Sequence, residues 1–250
     1  MFPYRDENET QRTPFVTFAL IAGTSYVWLG VQGGGAALPL AESVCNLGLI
    51  PGELTGLLPS GTTFDLGDGL ACVTDPGRQT SSVVTSMFLH GSWMHLLGNM
   101  WFLWLFGNNI EDSMTRPRFI AFYLVCGLAA AMAQVWANPV SGVPMVGASG
   151  AISGVMGAYL VLFPRVRVWT MIPLGFFFHS MPLPAWAMLI YWAFLQIAGG
   201  IGDIGAEGGG VAFWAHVGGF VAGVVLIKFF EREDRVRARR AHRWQPRRFR

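Results

Sequence analysis

The chain of 250 residues is 52% hydrophobic and 14% aromatic but only 13% charged. Soluble domains carry about 25% charged residues, so this composition argues against one, and abundant apolar surface without a fixed Gly period excludes a disordered or fibrous chain. The net charge of +2 is unevenly held, with nine Arg against Glu231, Glu233 and Asp234 in residues 231–250. A tail of that kind can bind nucleic acid or anionic lipid, but placed directly after an apolar stretch it reads as a cytoplasmic topology anchor, and no nucleic-acid partner is expected.

Residues 1–13 form a polar segment with no pattern of a cleavable signal peptide. Six apolar segments follow, at about 14–31, 93–110, 118–137, 148–163, 185–201 and 209–230. A spanning helix needs about 20 residues, so the fourth is short. None of the runs alternates polar and apolar residues, which excludes barrel strands. The expected fold class is therefore an all-α polytopic membrane protein, with a six-helix domain over 14–230, a long outer loop over 32–85 and a basic cytoplasmic tail over 231–250. Placing both termini in the cytoplasm puts sixteen of the seventeen Lys and Arg inside and leaves only Arg78 outside. The outer loops then carry Glu42, Glu53, Asp65, Asp68, Asp75, Asp203 and Glu207, as the positive-inside rule demands.

The long outer loop is rich in Gly, Pro and acids and contains Cys45 and Cys72. On an oxidising face these two can pair, but sequence does not give their separation, so a disulfide and two thiols both remain open. Cys126, mid-span, reads as a small packing residue, and no cysteine has metal-ligand spacing, so neither metal nor cofactor is expected. The uncharged stretch 138–146, with Pro139 and Pro144, suggests a loop that dips into the membrane so that the short fourth helix starts below the surface.

Acids are absent from the apolar runs, with Glu111 and Asp112 just past one end of the second, whereas His90, His95 and His216 lie in or beside them. Ionisable groups at membrane depth are costly and mark functional sites. Ser149 opens the fourth segment between Gly147 and Gly150, giving a nucleophile, candidate bases and no carboxylate. That combination suits a serine activated by histidine alone. His95 and Asn99, four apart, share a helical face and can donate to a developing oxyanion, whereas His90 sits about 140° round the helix at the loop junction. Gly150 with Gly154, and Gly219 with Gly223, form two small-residue faces that let the fourth and sixth helices approach and bring Ser149 within reach of His216. The alternatives are packing roles for the serine and histidines, an ion site, or a channel or proton-coupled transporter.

Taken together, His90-Gly-Ser-Trp-Met-His95-Leu-Leu-Gly-Asn99, Gly147-Ala-Ser149-Gly150 and Ala215-His216-Val-Gly-Gly219-x-x-x-Gly223 resemble the rhomboid intramembrane serine proteases. These motifs fall on the second, fourth and sixth segments in the family's order, and Arg5-Asp6-Glu-Asn8 followed by Arg12-Thr-Pro14, with Gly48–Thr55, look like bacterial members. The resemblance implies a Ser149–His216 dyad, oxyanion stabilisation by His95, Asn99 and the Ser149 backbone N–H, and structural roles for His90, Gly147, Gly150, Gly219 and Gly223. It implies an integral membrane endopeptidase acting on transmembrane protein substrates within the lipid bilayer, in a bacterial inner membrane, with the fifth helix and the 202–208 loop as gate and cap. It leaves open a catalytically silent relative that only binds membrane helices. Many members carry Trp-Arg where this chain has Ser81-Ser82, and some place an aromatic against the catalytic histidine where this chain has Ser153. The histidine must then be oriented in another way.

Overall fold

Strand β1 (Phe2–Asp6) precedes helix α1 (Phe15–Gly30) in the computed structural model, which describes residues 1–67, 70–75, 77, 79–175, 177–203 and 210–243. The first amides of α1 find no side-chain cap of their own. Glu111 instead accepts from the Val16 and Thr17 N–H groups at 3.0 and 2.8 Å and from the Thr17 hydroxyl at 2.8 Å. A carboxylate there satisfies orphan donors and complements the helix dipole.

The long connection after α1 has structure of its own. It holds α2 (Ala37–Leu47), α3 (Pro51–Thr55) and the antiparallel pair β2 (Thr63–Gly67) and β3 (Leu70–Val73). Cys45 on α2 is disulfide-bonded to Cys72 on β3, so the pairing left open by the sequence is made. Helix α4 (Ser82–Thr85) follows, where Ser82 is buried and donates its hydroxyl to the Gln79 carbonyl at 2.5 Å.

Ser92 caps α5 (Trp93–Phe102), its hydroxyl accepting from the His95 N–H at 3.1 Å. The helix runs on through a π-turn, Leu103–Gly107, into α6 (Asn108–Asp112). Then come α7 (Arg116–Ala137), α8 (Ser149–Leu162), β4 (Arg167–Leu174), β5 (Phe177–Pro184), α9 (Ala185–Gly202), α10 (Phe213–Phe230) and α11 (Glu233–Arg243). Each of the six apolar segments is helical. Helices α7, α9 and α10 are long and apolar enough to cross a membrane, while α1 and α8 are shorter apolar helices. At 14 residues α8 is as short as its sequence suggests.

Two sheets go beyond the all-helical expectation. Besides β2–β3, strand β1 joins an antiparallel sheet in the order β1-β4-β5. The stretch 164–184 lies outside the apolar segments, yet its Val, Trp, Thr, Met and Ile residues suit a pleated surface.

Chain connections collect at the two ends of the bundle. At one end Asp112 accepts from the Gln11 N–H at 2.8 Å and pairs with Arg12 at 3.3 Å and Arg239 at 3.6 Å. Asp6 accepts from Asn109 at 2.9 Å and from the Tyr159 hydroxyl at 2.6 Å. The N-terminal segment and α11 therefore meet at the same end. Glu111 and Asp112 belong to the last turn of α6 and are buried, rather than lying past it. Part of the tail packs onto the bundle, because α11 docks with Val236 and Arg239 buried. Asp68, Arg78, residues 204–208 of the expected cap, Glu207 among them, and 244–250 fall outside the described residues.

Helix α8 is the most enclosed of the apolar helices of ten residues or more among the described residues, packed between α7 and α10. A Cβ at Gly219 would strike the Gly150 carbonyl and one at Gly223 the Gly154 carbonyl, so the two small-residue faces meet backbone to backbone. Cys126 is a buried free thiol against Gly154, in keeping with a packing role.

Candidate active site

The close α8–α10 approach has a direct result at one end of the pair. Ser149, the first residue of α8, lies with its Oγ 2.8 Å from Nε2 of His216, which sits in the first turn of α10. The other ring nitrogen, Nδ1, is 2.7 Å from Oε1 of Gln196 on α9. The Trp192 ring, one turn earlier on α9, lies 5.9 Å from the His216 ring at an interplanar angle of 38°. Ser153 does not take the place of an aromatic neighbour; its hydroxyl donates to the Ser149 carbonyl at 2.6 Å.

A cavity of about 960 Å³ opens onto this pair, and its lining includes His95, Asn99, Gln134, Ser149, Trp192 and His216. The Gly91 N–H donates to Nδ1 of His95 at 3.4 Å, which places the ring proton on Nε2 as a donor. Gly147 holds φ +129°, and a Cβ there would come within 2.8 Å of His95 Nε2 and 3.5 Å of Ser149 Oγ. Its N–H donates to the Ser86 carbonyl at 2.9 Å, which ties the loop before Ser149 to the rest of the fold. Asn99 is buried and donates from Nδ2 to His90 Nε2 at 2.9 Å, leaving its second N–H for the cavity it lines.

His90 is fully buried at the junction before α5, and Gln32 clamps its backbone by donating to the carbonyl and accepting from the N–H, both at 2.8 Å. The histidine at this position thus touches Asn99 and not Ser149. All five sequence-picked polar residues, His90, His95, Asn99, Ser149 and His216, therefore gather round one cavity or buttress it. Sequence reading missed Gln32, Gln134 and Gln196, because a single amide in an apolar run carries no pattern. Gln134 on α7 accepts from the Ala215 N–H at 3.2 Å, satisfying an orphan amide at the start of α10. Among the described residues no cluster of His, Cys, Asp and Glu is fit to hold a metal ion.

Chemically, a hydroxyl facing an imidazole nitrogen beside two side-chain donors can add to a carbonyl carbon and stabilise the oxyanion formed. Residues 77–233, well over half of the chain, match the Rhomboid domain. Rhomboid protein 1, mitochondrial, of Saccharomyces cerevisiae is 29% identical over 171 residues, covering 65% of this chain and 46% of the relative. Rhomboid-like protease 5 of Toxoplasma gondii is 32% identical over 167 residues, covering 65% of this chain and 17% of the relative. The bovine presenilin-associated rhomboid-like protein, mitochondrial, is 29% identical over 158 residues, 60% of this chain and 38% of the relative. The chain thus spans less than half the length of these relatives. Two of the three are mitochondrial by name, so the expected bacterial inner membrane draws no support from them. Domain match, helical architecture and apolar spans agree that this is an integral membrane protein, and the chain belongs to the rhomboid family.

Proposed function

We propose that the protein is an intramembrane serine endopeptidase that hydrolyses peptide bonds in or near transmembrane segments of membrane-protein substrates. The observation that carries this reading is the 2.8 Å contact between Ser149 Oγ and His216 Nε2 in the lining of the cavity. In the proposed reaction His216 Nε2 takes the hydroxyl proton as Ser149 Oγ attacks the scissile carbonyl carbon. The oxyanion so formed accepts from His95 Nε2–H, the free N–H of Asn99 and the Ser149 backbone N–H, which at a helix N-terminus has no intrahelical partner. Collapse breaks the C–N bond, and the imidazolium gives its proton to the departing amine. Water then enters, gives a proton to His216 as its oxygen bonds the acyl carbon, and the bond to Ser149 Oγ breaks as His216 returns the proton to Oγ. A substrate helix must unwind to present its carbonyl carbon, because helical hydrogen bonds enclose it.

The cavity supports access for water, and the cytoplasmic placement of both termini rests on the inward bias of Lys and Arg together with the shared end of the N-terminal segment and α11. The direct test is reconstitution into liposomes with a fluorophosphonate probe and a model single-span substrate. Wild type is expected to label and cleave, and Ser149→Ala and His216→Ala to lose both, with kcat/KM down by at least about 10³. A well-folded wild type that neither labels nor cleaves would overturn the reading in favour of a silent helix-binding member.

A further inference from the structure

A histidine that accepts the serine proton at Nε2 must carry its own proton on Nδ1, and that N–H needs an acceptor pointing along it. The Asp203 carboxylate lines the same cavity, but the two ring nitrogens of His216 meet Gln196 and Ser149 and not that carboxylate, and this chain lacks an aromatic at Ser153. The only amide on α9, Gln196, lies with Oε1 at 2.7 Å from His216 Nδ1. An amide can present either oxygen or nitrogen, but here its Nε2 donates to the Trp192 carbonyl one turn earlier at 3.4 Å, which turns the oxygen toward the ring.

On that geometry, and given the serine–histidine reading above, we infer that Gln196 is a positioning residue that holds the His216 ring in its reactive tautomer and orientation, completing a Ser149–His216–Gln196 chain. A carboxylate in this place would bring a charge into an apolar bundle at considerable cost, whereas a neutral amide supplies the acceptor without it. Papain-like cysteine proteases, with their Cys-His-Asn arrangement, use an amide in the same relation to their histidine. The consequence reaches beyond the pair, because Gln196 is carried on α9. Of the three long apolar helices α9 is the least enclosed, 22% of its span buried against 44% for α7 and 33% for α10. The serine and histidine sit on the tightly packed α8 and α10, and the group that orients the histidine sits on the loosest neighbour. A shift of α9 by about 1 Å breaks a 2.7 Å hydrogen bond and so withdraws the orientation of the base without moving Ser149.

The test uses the full chain in liposomes with the single-span substrate and three variants. Gln196→Leu is expected to lower kcat about 10- to 100-fold with KM within about twofold of wild type, because the ring loses its Nδ1 partner while substrate contacts stay. Gln196→Asn, one methylene shorter, is expected to behave like Leu, and Gln196→Glu, with equal reach and an acceptor oxygen, to recover most of the lost kcat in the folded protein while lowering its stability. Nitrogen NMR of labelled His216 supplies an independent readout, with the Nδ1–H tautomer dominant in wild type and a mixture in Gln196→Leu. Unchanged kcat and tautomer in the Leu variant, or a Glu variant no better than Leu, would overturn the inference. Should wild type itself neither cleave nor label, the endopeptidase reading falls, and the tautomer comparison still decides whether Gln196 holds the ring.

Discussion

Gly147 shows how one position is committed by its surroundings. Its φ of +129° lies where side chains are rarely tolerated, and the space a Cβ would need is occupied by the His95 ring. Gly147→Ala is expected to push His95 or the Ser149 turn aside and cut kcat/KM about 100-fold, measured on the model substrate, while the protein still folds. This residue was legible in sequence only as part of a Gly-Ala-Ser-Gly motif; the reason for its glycine is visible only once His95 lies against it. Gln196 was illegible for a related reason. A lone amide within Phe-Leu-Gln-Ile-Ala reads as tolerated polarity until the opposite helix supplies His216.

For the helices, the period and length of the apolar runs carried most of the information. The close pairing of α8 with α10 followed from the four glycines, since Gly219 and Gly223 admit the Gly150 and Gly154 carbonyls, while Gly150 and Gly154 also make room for Ala130 and Cys126 of α7. Gly219→Ala is therefore expected to destabilise the protein by about 1–3 kcal/mol in a detergent unfolding titration, because its methyl group meets the Gly150 carbonyl rather than a side chain that can yield. Activity should fall with it as Ser149 and His216 move apart. The β1-β4-β5 sheet escaped the sequence reading because its first strand lies at the N-terminus, far along the chain from β4 and β5. Pairing over that distance leaves no local signature, and the apolar β4–β5 stretch resembles a short interfacial loop when read alone.

Across the whole molecule, the two ends of the chain are joined through Arg239. Its guanidinium donates to the Asn109 carbonyl at 2.8 Å and to Asn8 Oδ1 at 3.0 Å, lies near Asp112 and covers the Phe163 ring at 4.6 Å. Removing it leaves buried acceptors and a carboxylate with one cation fewer. Arg239→Met is expected to cost about 3–5 kcal/mol and to expose Arg5 and Arg12 to trypsin in permeabilised vesicles, read as faster N-terminal clipping than in wild type. The charge bias of the tail was plain in the sequence, but a buried arginine among eight other tail arginines was not, since composition does not say which side chain turns inward.

The π-turn at Leu103–Gly107 joins two parts of one helix that serve different ends of the molecule, His95 and Asn99 at one, Asn109 and Asp112 at the other. A π-turn is an α-helix with one residue inserted, so the flanking turns keep the relative facing they would have without it. Loss of a single residue within this turn therefore restores ordinary helix and leaves both ends facing as before. The same loss anywhere else between Trp93 and Asp112 rotates one end by about 100° against the other. A one-residue deletion that keeps both ends facing as they do is accordingly confined, in this helix, to five consecutive positions.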